Sequence, residues 1–173
     1  MPAAAKSTLV AVDTNFLFDL ADDTAIAWEA LETIRARIKS LIIVVPPTVI
    51  DELVAAHDNP EEGEEQRLAM LALQRLRSEW KFQPVDFVPV GHGIVGSVAG
   101  KIRDRGYIPL EEVNDSFVLA ESALLACTLL ITSDGHLIDV PAGPLKLLLD
   151  TCDVACPLIV SPRKIAKEFF PKK

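Results

Sequence analysis

Short apolar runs alternate with longer amphipathic segments along this chain, and that alternation constrains its fold more than any other feature. The runs at 9–12, 41–45 and 129–131 are aliphatic, as expected of strands that are buried on both faces. Segments such as 24–40 instead carry apolar residues at helical spacing. Strands that alternate with helices predict a parallel sheet with helices on both of its faces.

The pattern assigns most of the chain to regular elements. The predicted strands are 9–13, 41–45, 128–132 and 157–160, with a short edge segment over 84–90 where prolines disfavour a central strand. The predicted helices are 24–40, 47–56, 62–82, 92–105, 111–127 and 145–150, followed by a terminal helix that Ser161 caps and Pro162 begins. We therefore expect an α/β fold.

Size and hydropathy favour one globular domain over 1–173. The chain has 173 residues, and 50% of them are hydrophobic, which is enough for a sizeable core. No apolar run approaches the roughly 20 residues of a membrane helix, so no membrane partner is expected. Asp13 interrupts the first apolar stretch, which therefore does not resemble a signal peptide, and a cytoplasmic location is the expectation.

The charge of the chain argues against one class of function. A net charge of −8 and a pI of about 4.9 are unlike a protein that coats nucleic acid nonspecifically. Part of this charge lies in the acidic stretch 58–65. A nuclease is still compatible with the composition, because a bound metal offsets acidic charge at an active site.

Four acidic residues stand where predicted strands end or helices begin: Asp13, Glu52, Asp115 and Asp134. Ligands of open parallel α/β sheets bind at the carboxyl ends of the strands, so these side chains are expected to converge. Clustered carboxylates cannot all stay ionised without a cation. Hard oxygen ligands suit Mg²⁺ or Mn²⁺, and a metal site for phosphodiester chemistry is the leading interpretation.

Each acidic position also has a structural explanation. On its motif alone, Asp13 is equally well explained as a helix N-cap, and either Asn114 or Asp115 could cap the helix they begin. Asp51 competes with Glu52, and Glu121 is expected to be solvated or paired outside the site. The neighbours expected to orient the carboxylates are Thr14, Asn15, Asn114, Thr132 and Ser133.

Basic residues near this region are candidates for substrate contact. Lys101, Arg103 and Arg105 could grip phosphates, although a solvated helix face is the slightly better explanation of their spacing. His136 follows Asp134 closely enough in sequence to touch a substrate.

Taken together, four segments resemble the PIN domain family of PilT N-terminus-like nucleases: LVAVDTNFLFDL, VIDELVAA, VNDSFVLAESALL and LLITSDGHL. The resemblance covers nearly the whole chain and implies a three-layer α/β/α fold. Active members are Mg²⁺- or Mn²⁺-dependent ribonucleases, and many bacterial ones are toxins held by an antitoxin. Carried over by position, the family's acidic set falls on Asp13, Glu52, Asp115 and Asp134, with Thr132 or Ser133 as the associated hydroxyl.

The chain departs from the family pattern in places. Gly135 and His136 stand where the family often has an Arg or Asp, and residues 58–67 are additional to the compact toxins. We nevertheless expect a divalent-metal-dependent endoribonuclease, with RNA as substrate, an antitoxin as partner and a homodimer as assembly.

Two other functions are considered. One is a non-catalytic PIN-like binding module. The other is a phosphatase or receiver-like domain that uses Asp13 as its nucleophile. The phosphatase is disfavoured because Asn15 replaces the second aspartate that such enzymes carry.

Overall fold

The computed structural model describes residues 6–169 and, within them, a five-stranded parallel sheet. Its strands are β1 Thr8–Val12, β2 Leu41–Val45, β3 Gln83–Pro84, β4 Leu129–Ile131 and β5 Leu158–Val160. They lie in the order β3-β2-β1-β4-β5. The α/β class and the parallel sheet predicted from the sequence are confirmed.

Helices connect and flank these strands. Their bounds are α1 Thr14–Ala21, α2 Ala25–Arg37, α3 Pro47–His57, α4 Gly63–Ser78, α5 Pro89–Asp104, α6 Val113–Leu124, α7 Gly135–Ile138, α8 Ala142–Thr151 and α9 Pro162–Lys164. A π-helical segment, Ile165–Phe169, continues α9. In the described part of the chain, no helix is long and apolar enough to cross a membrane.

The burial of the central strand β1 shows that both faces of the sheet are covered. Val10, Ala11 and Val12 are all fully buried, although consecutive residues of a strand point to opposite faces. β1 pairs with β2 on one side and with β4 on the other, so the strand order reverses direction there. This switch point is where open α/β sheets place their ligands, and Asp13 follows β1 directly.

Several predicted boundaries were wrong for identifiable reasons. The predicted helices 62–82 and 111–127 end early, at Ser78 and Leu124, and residues with left-handed backbone follow in each case: Lys81 at φ 58° and Ala126 at φ 58°. In the predicted edge segment 84–90, only Pro84 is a strand residue, because Pro89 starts α5.

Three further differences concern helix starts. α1 and α7 are helices to which the sequence pattern gave no bounds. Neither Asn114 nor Asp115 caps α6, because that helix begins at Val113 and its N-cap residue is Glu112. Ser161 does cap α9, and Pro162 occupies the first turn, as predicted.

Candidate functional site

Asp13 lies at the switch point, between the end of β1 and the start of α1. Its side chain is only 5% exposed. Oδ1 accepts a hydrogen bond from the Thr14 backbone N–H at 2.8 Å, and Oδ2 accepts one from Thr132 Oγ1 at 2.8 Å. Burial raises the pKa of Asp13 to about 6, against the lowering effect of these two hydrogen bonds. The negative charges of Glu52 and Asp134 raise this pKa further.

Thr132 and Asn15 fix the orientation of the Asp13 carboxylate. Thr132 is fully buried after β4, and its Oγ1 accepts a hydrogen bond from the Asp134 N–H at 3.0 Å. Asn15 Nδ2 lies 3.4 Å from Thr132 Oγ1 and 3.5 Å from Asp13 Oδ2, while Asn15 Oδ1 accepts from the Ser133 N–H at 3.1 Å. Of the two hydroxyls left open by the sequence, Thr132 is therefore the one that contacts Asp13, and exposed Ser133 contributes its backbone N–H.

Asp115 lies in the first turn of α6. Its Oδ2 is buried and has no hydrogen-bond partner in the described part of the chain. Burial raises the pKa of Asp115 to about 7, and the negative charges of Asp134, Asp13, Glu112 and Glu52 raise it further. A buried polar atom without a partner is costly and calls for an explanation.

Glu52 and Asp134 complete the acidic group. The hydroxyl of Thr14 donates a hydrogen bond to Glu52 Oε2, which ties α3 to the start of α1. Asp134 caps α7 by accepting from the His136 N–H at 2.7 Å. The negative charges of Glu52 and Asp134 raise the pKa values of both Asp13 and Asp115, so the four acidic residues lie within electrostatic reach of one another.

The donor chemistry of this region fits a hard divalent cation. Asp13, Glu52, Asp115 and Asp134 are all carboxylates, and the Asp115 Oδ2 atom has no hydrogen-bond partner in the described part of the chain. Burial and mutual repulsion raise the pKa values of Asp13 and Asp115, and a cation would offset both effects. Within residues 6–169, however, no group of three or more His, Cys, Asp or Glu side chains is arranged so that it could hold a metal ion as it stands. Binding would have to draw these side chains closer together.

The remaining candidates from the sequence are Asn114, His136 and the three basic residues of 101–105. Asn114 is exposed at the start of α6. His136 Nε2 lies 3.6 Å from Glu112 Oε1, at the rim. Lys101, Arg103 and Arg105 lie at the C-terminal end of α5, where Lys101 Nζ approaches Cys152 Sγ at 4.0 Å. None of these three cations is among the charges that shift the pKa of Asp13 or Asp115.

Glu121 has a structural role that its position in the sequence did not predict. This residue is only 2% exposed, and its carboxylate accepts hydrogen bonds from the Thr48 N–H at 3.2 Å and from Thr48 Oγ1 at 2.6 Å. The contact satisfies the first turn of α3, because the N-cap residue Pro46 makes no side-chain cap. Burial raises the pKa of Glu121 to about 7, against the lowering effect of the Thr48 hydrogen bonds. A charged residue within the apolar stretch 117–125 was the available signal.

Replacing Glu121 by Ala should lower the free energy of unfolding by about 1–3 kcal/mol, because the Thr48 donors lose their partner. The comparison belongs at pH 6, where Glu121 is mostly neutral and the cost of a buried charge does not mask the loss. Urea denaturation measures the change. Glu111→Ala, an exposed site just before α6, is the matched control. Equal midpoints for the two variants would contradict a capping role for Glu121.

Comparisons with known proteins bear on the fold. No protein-family model matches this sequence. No curated protein is significantly similar to it. The structure is similar to a chain in the crystal structure of VapBC2 from Rickettsia felis bound to a DNA fragment from the VapBC2 promoter. The TM-score is 0.59, the match covers 89% of this chain and 98% of that one, and the sequences are 13% identical. The fold is PIN-like. At this identity the PIN-like architecture is what the comparison establishes.

Proposed function

We propose that this protein is a divalent-metal-dependent endoribonuclease that hydrolyses RNA phosphodiester bonds. One observation carries the proposal: Asp115 presents a buried, unpartnered carboxylate oxygen to a region where Asp13, Glu52 and Asp134 add negative charge. Such a group is stabilised when a cation joins it. The position of Asp13 directly after β1, at the point where the strand order of this PIN-like fold reverses, supports the proposal, because open α/β sheets bind ligands there.

Each of the four acids has a part in the proposed site. Asp13, Glu52 and Asp115 would hold Mg²⁺ or Mn²⁺, and Asp134 would complete or extend the set. When bound, such an ion polarises the phosphodiester and lowers the pKa of an attacking water. Thr132 and Asn15 hold the Asp13 carboxylate in one orientation, and Thr14 does the same for Glu52. Asp115, whose pKa burial raises to about 7, would have to be ionised to hold the ion.

The test is cleavage of a labelled single-stranded RNA that contains a structured loop. We expect internal cleavage with Mn²⁺ or Mg²⁺, none with a chelator, and recovery when metal is restored. A DNA oligonucleotide of the same sequence should survive. Absence of RNA cleavage at every metal concentration, by a protein whose thermal melt shows it folded, would overturn the proposal.

We further propose that the chain is the toxin of a toxin–antitoxin pair and forms a homodimer. The support is the PIN-like resemblance of the sequence and the likeness to VapBC2. The product of a neighbouring gene should inhibit the RNA cleavage assay in a stoichiometric way. Light scattering should give a mass of two 18.8 kDa chains, and a mass of one chain would contradict the dimer.

A non-catalytic PIN-like binding module is the second candidate. The observation in its favour is that no ready-made metal-holding group of side chains exists within residues 6–169. The two candidates differ in metal binding. A crystal soaked with Mn²⁺ should show an anomalous peak among the four carboxylates of an enzyme and no peak in a module that has lost the metal.

A further inference from the structure

A cavity of about 470 Å³ opens beside the proposed catalytic carboxylates. It lies between α3, α5 and α6, and its walls include Glu52, Asn114, Asp51, His92, Phe117 and Glu121. Because Glu52 belongs to both the cavity and the acidic group, a molecule in the cavity would lie next to the reacting centre. The volume falls in the range of pockets that enclose small organic groups.

The groups that line this cavity differ in whether they are free to bind. Glu121 is occupied by Thr48, and His92 Nε2 lies 2.8 Å from Asp86 Oδ1. Asp51 is exposed and makes no hydrogen bond or ion pair with the described part of the chain. Its carboxylate is therefore a free acceptor, and it stands on the same wall as Glu52, one residue along α3.

The remaining chemistry of the walls excludes a phosphate and favours a flat ring. Among the described residues that line the cavity there is no Lys or Arg, whereas Asp51, Glu52 and Glu121 are acidic. Phosphate would be repelled. The half-buried ring of Phe117 and the imidazole of His92 are surfaces on which an unstacked base of single-stranded RNA can lie.

We propose that this cavity is a nucleobase pocket that selects guanine in the RNA strand beside the bond that is cut. This inference rests on the proposed ribonuclease function and adds its base specificity. The Watson–Crick edge of guanine carries two adjacent donors, N1–H and the N2 amino group, which match the two oxygens of the Asp51 carboxylate. Such bidentate contacts are the strong and selective ones. Adenine presents a ring acceptor at N1, which the carboxylate repels.

The experiment compares three RNA substrates that differ at one position in a uridine background: guanosine, inosine, which lacks the N2 amino group, and adenosine. Cleavage should follow the order guanosine, inosine, adenosine, with a guanosine-to-adenosine ratio of about 10- to 100-fold. Asp51→Asn should bring that ratio close to one. The ratio is the readout because it cancels any general effect of the variant on the neighbouring Glu52.

Asp104→Asn is the matched control, since Asp104 is exposed at the end of α5 and does not line the cavity. It should keep the wild-type ratio. Equal cleavage of the three substrates, or an unchanged ratio in Asp51→Asn, would overturn the pocket while leaving the ribonuclease in place.

A metal-free measurement separates the pocket from catalysis. With a chelator present, calorimetry should show the dinucleotide GpU binding about tenfold or more tightly than ApU, and Asp51→Asn should remove the difference. If the protein binds GpU more tightly than ApU but cleaves no RNA, the proposed ribonuclease function is wrong and the proposed guanine pocket is supported. Equal binding of GpU and ApU by the wild-type protein would overturn the pocket whatever the cleavage assay shows.

Discussion

An Asp115→Asn variant should cleave RNA at least about 10- to 100-fold more slowly than the wild-type protein, while staying folded. Loss of a side chain that only orients a ligand costs about 10- to 100-fold, and loss of a ligand should cost no less. The amide keeps the shape of the carboxylate but removes the charge, and the buried Oδ2 of Asp115 is the oxygen with no other partner within residues 6–169. Initial rates at saturating Mn²⁺ measure the effect.

Asp139→Asn is the control for this variant. Asp139 is exposed at the C-cap of α7, in the same part of the fold, and its replacement by Asn removes the same charge. It should cleave at close to the wild-type rate. A fully active Asp115→Asn variant would remove Asp115 from the site, and undiminished cleavage by Asp13→Asn as well would point to a contaminating nuclease.

The central strands were predictable from the sequence, but the ends of several helices were not. The strands β2 and β4, and β1 after Thr8, consist of apolar residues because both faces of the sheet are covered, and short runs of this kind can be recognised in the sequence. Helix ends depended on single residues such as Lys81 and Ala126, which adopt left-handed backbone without being glycine. Neither a Lys nor an Ala side chain predicts a left-handed backbone conformation.

The acidic positions of the candidate site were named from the sequence, whereas the contacts that hold them were not. The hydrogen bond from Thr132 to Asp13 joins residues 119 positions apart and exists because β4 lies next to β1. The order of strands in a sheet does not follow from the pattern of a single strand. From the sequence, Glu121 was expected to be solvated or paired. The sequence did not show that the N-cap residue of α3 is a proline without a side-chain cap, or that Thr48 in the first turn of α3 donates to a residue of α6 instead.

The acidic group also has a consequence for stability. The pKa of Asp13 is about 6 in the folded protein and 3.8 as a free side chain. A carboxylate whose pKa is raised by folding binds more protons in the folded state, so its contribution to stability is fully present below pH 4 and is lost as the pH rises to 6. At neutral pH this difference in the pKa of Asp13 lowers the free energy of unfolding by about 3 kcal/mol.

Asp13→Asn should therefore raise the melting temperature of the metal-free protein at pH 7.5. Weakening of the hydrogen bond from Thr132 offsets about 1–2 kcal/mol of the gain. For a chain of this size, the net 1–2 kcal/mol corresponds to a rise of about 2–8 °C. The rise should largely vanish at pH 4, where the wild-type carboxyl is protonated in the folded state and carries no buried charge. Melts of wild type and variant in chelator at the two pH values measure it.

With a divalent ion bound, the wild type should have a higher melting temperature than Asp13→Asn, the reverse of their order without metal. At about 100 times its dissociation constant, Mn²⁺ should stabilise the wild type by about 2.7 kcal/mol, because only the folded state assembles the acidic group. Asp13→Asn should respond less. If Asp13 acted only as the N-cap of α1, the variant would melt like the wild type at every pH, since Asn caps a helix about as well as Asp. Equal responses of the two proteins to Mn²⁺ would rule out Asp13 as a metal ligand, and equal melts in chelator would show that its buried charge does not oppose folding.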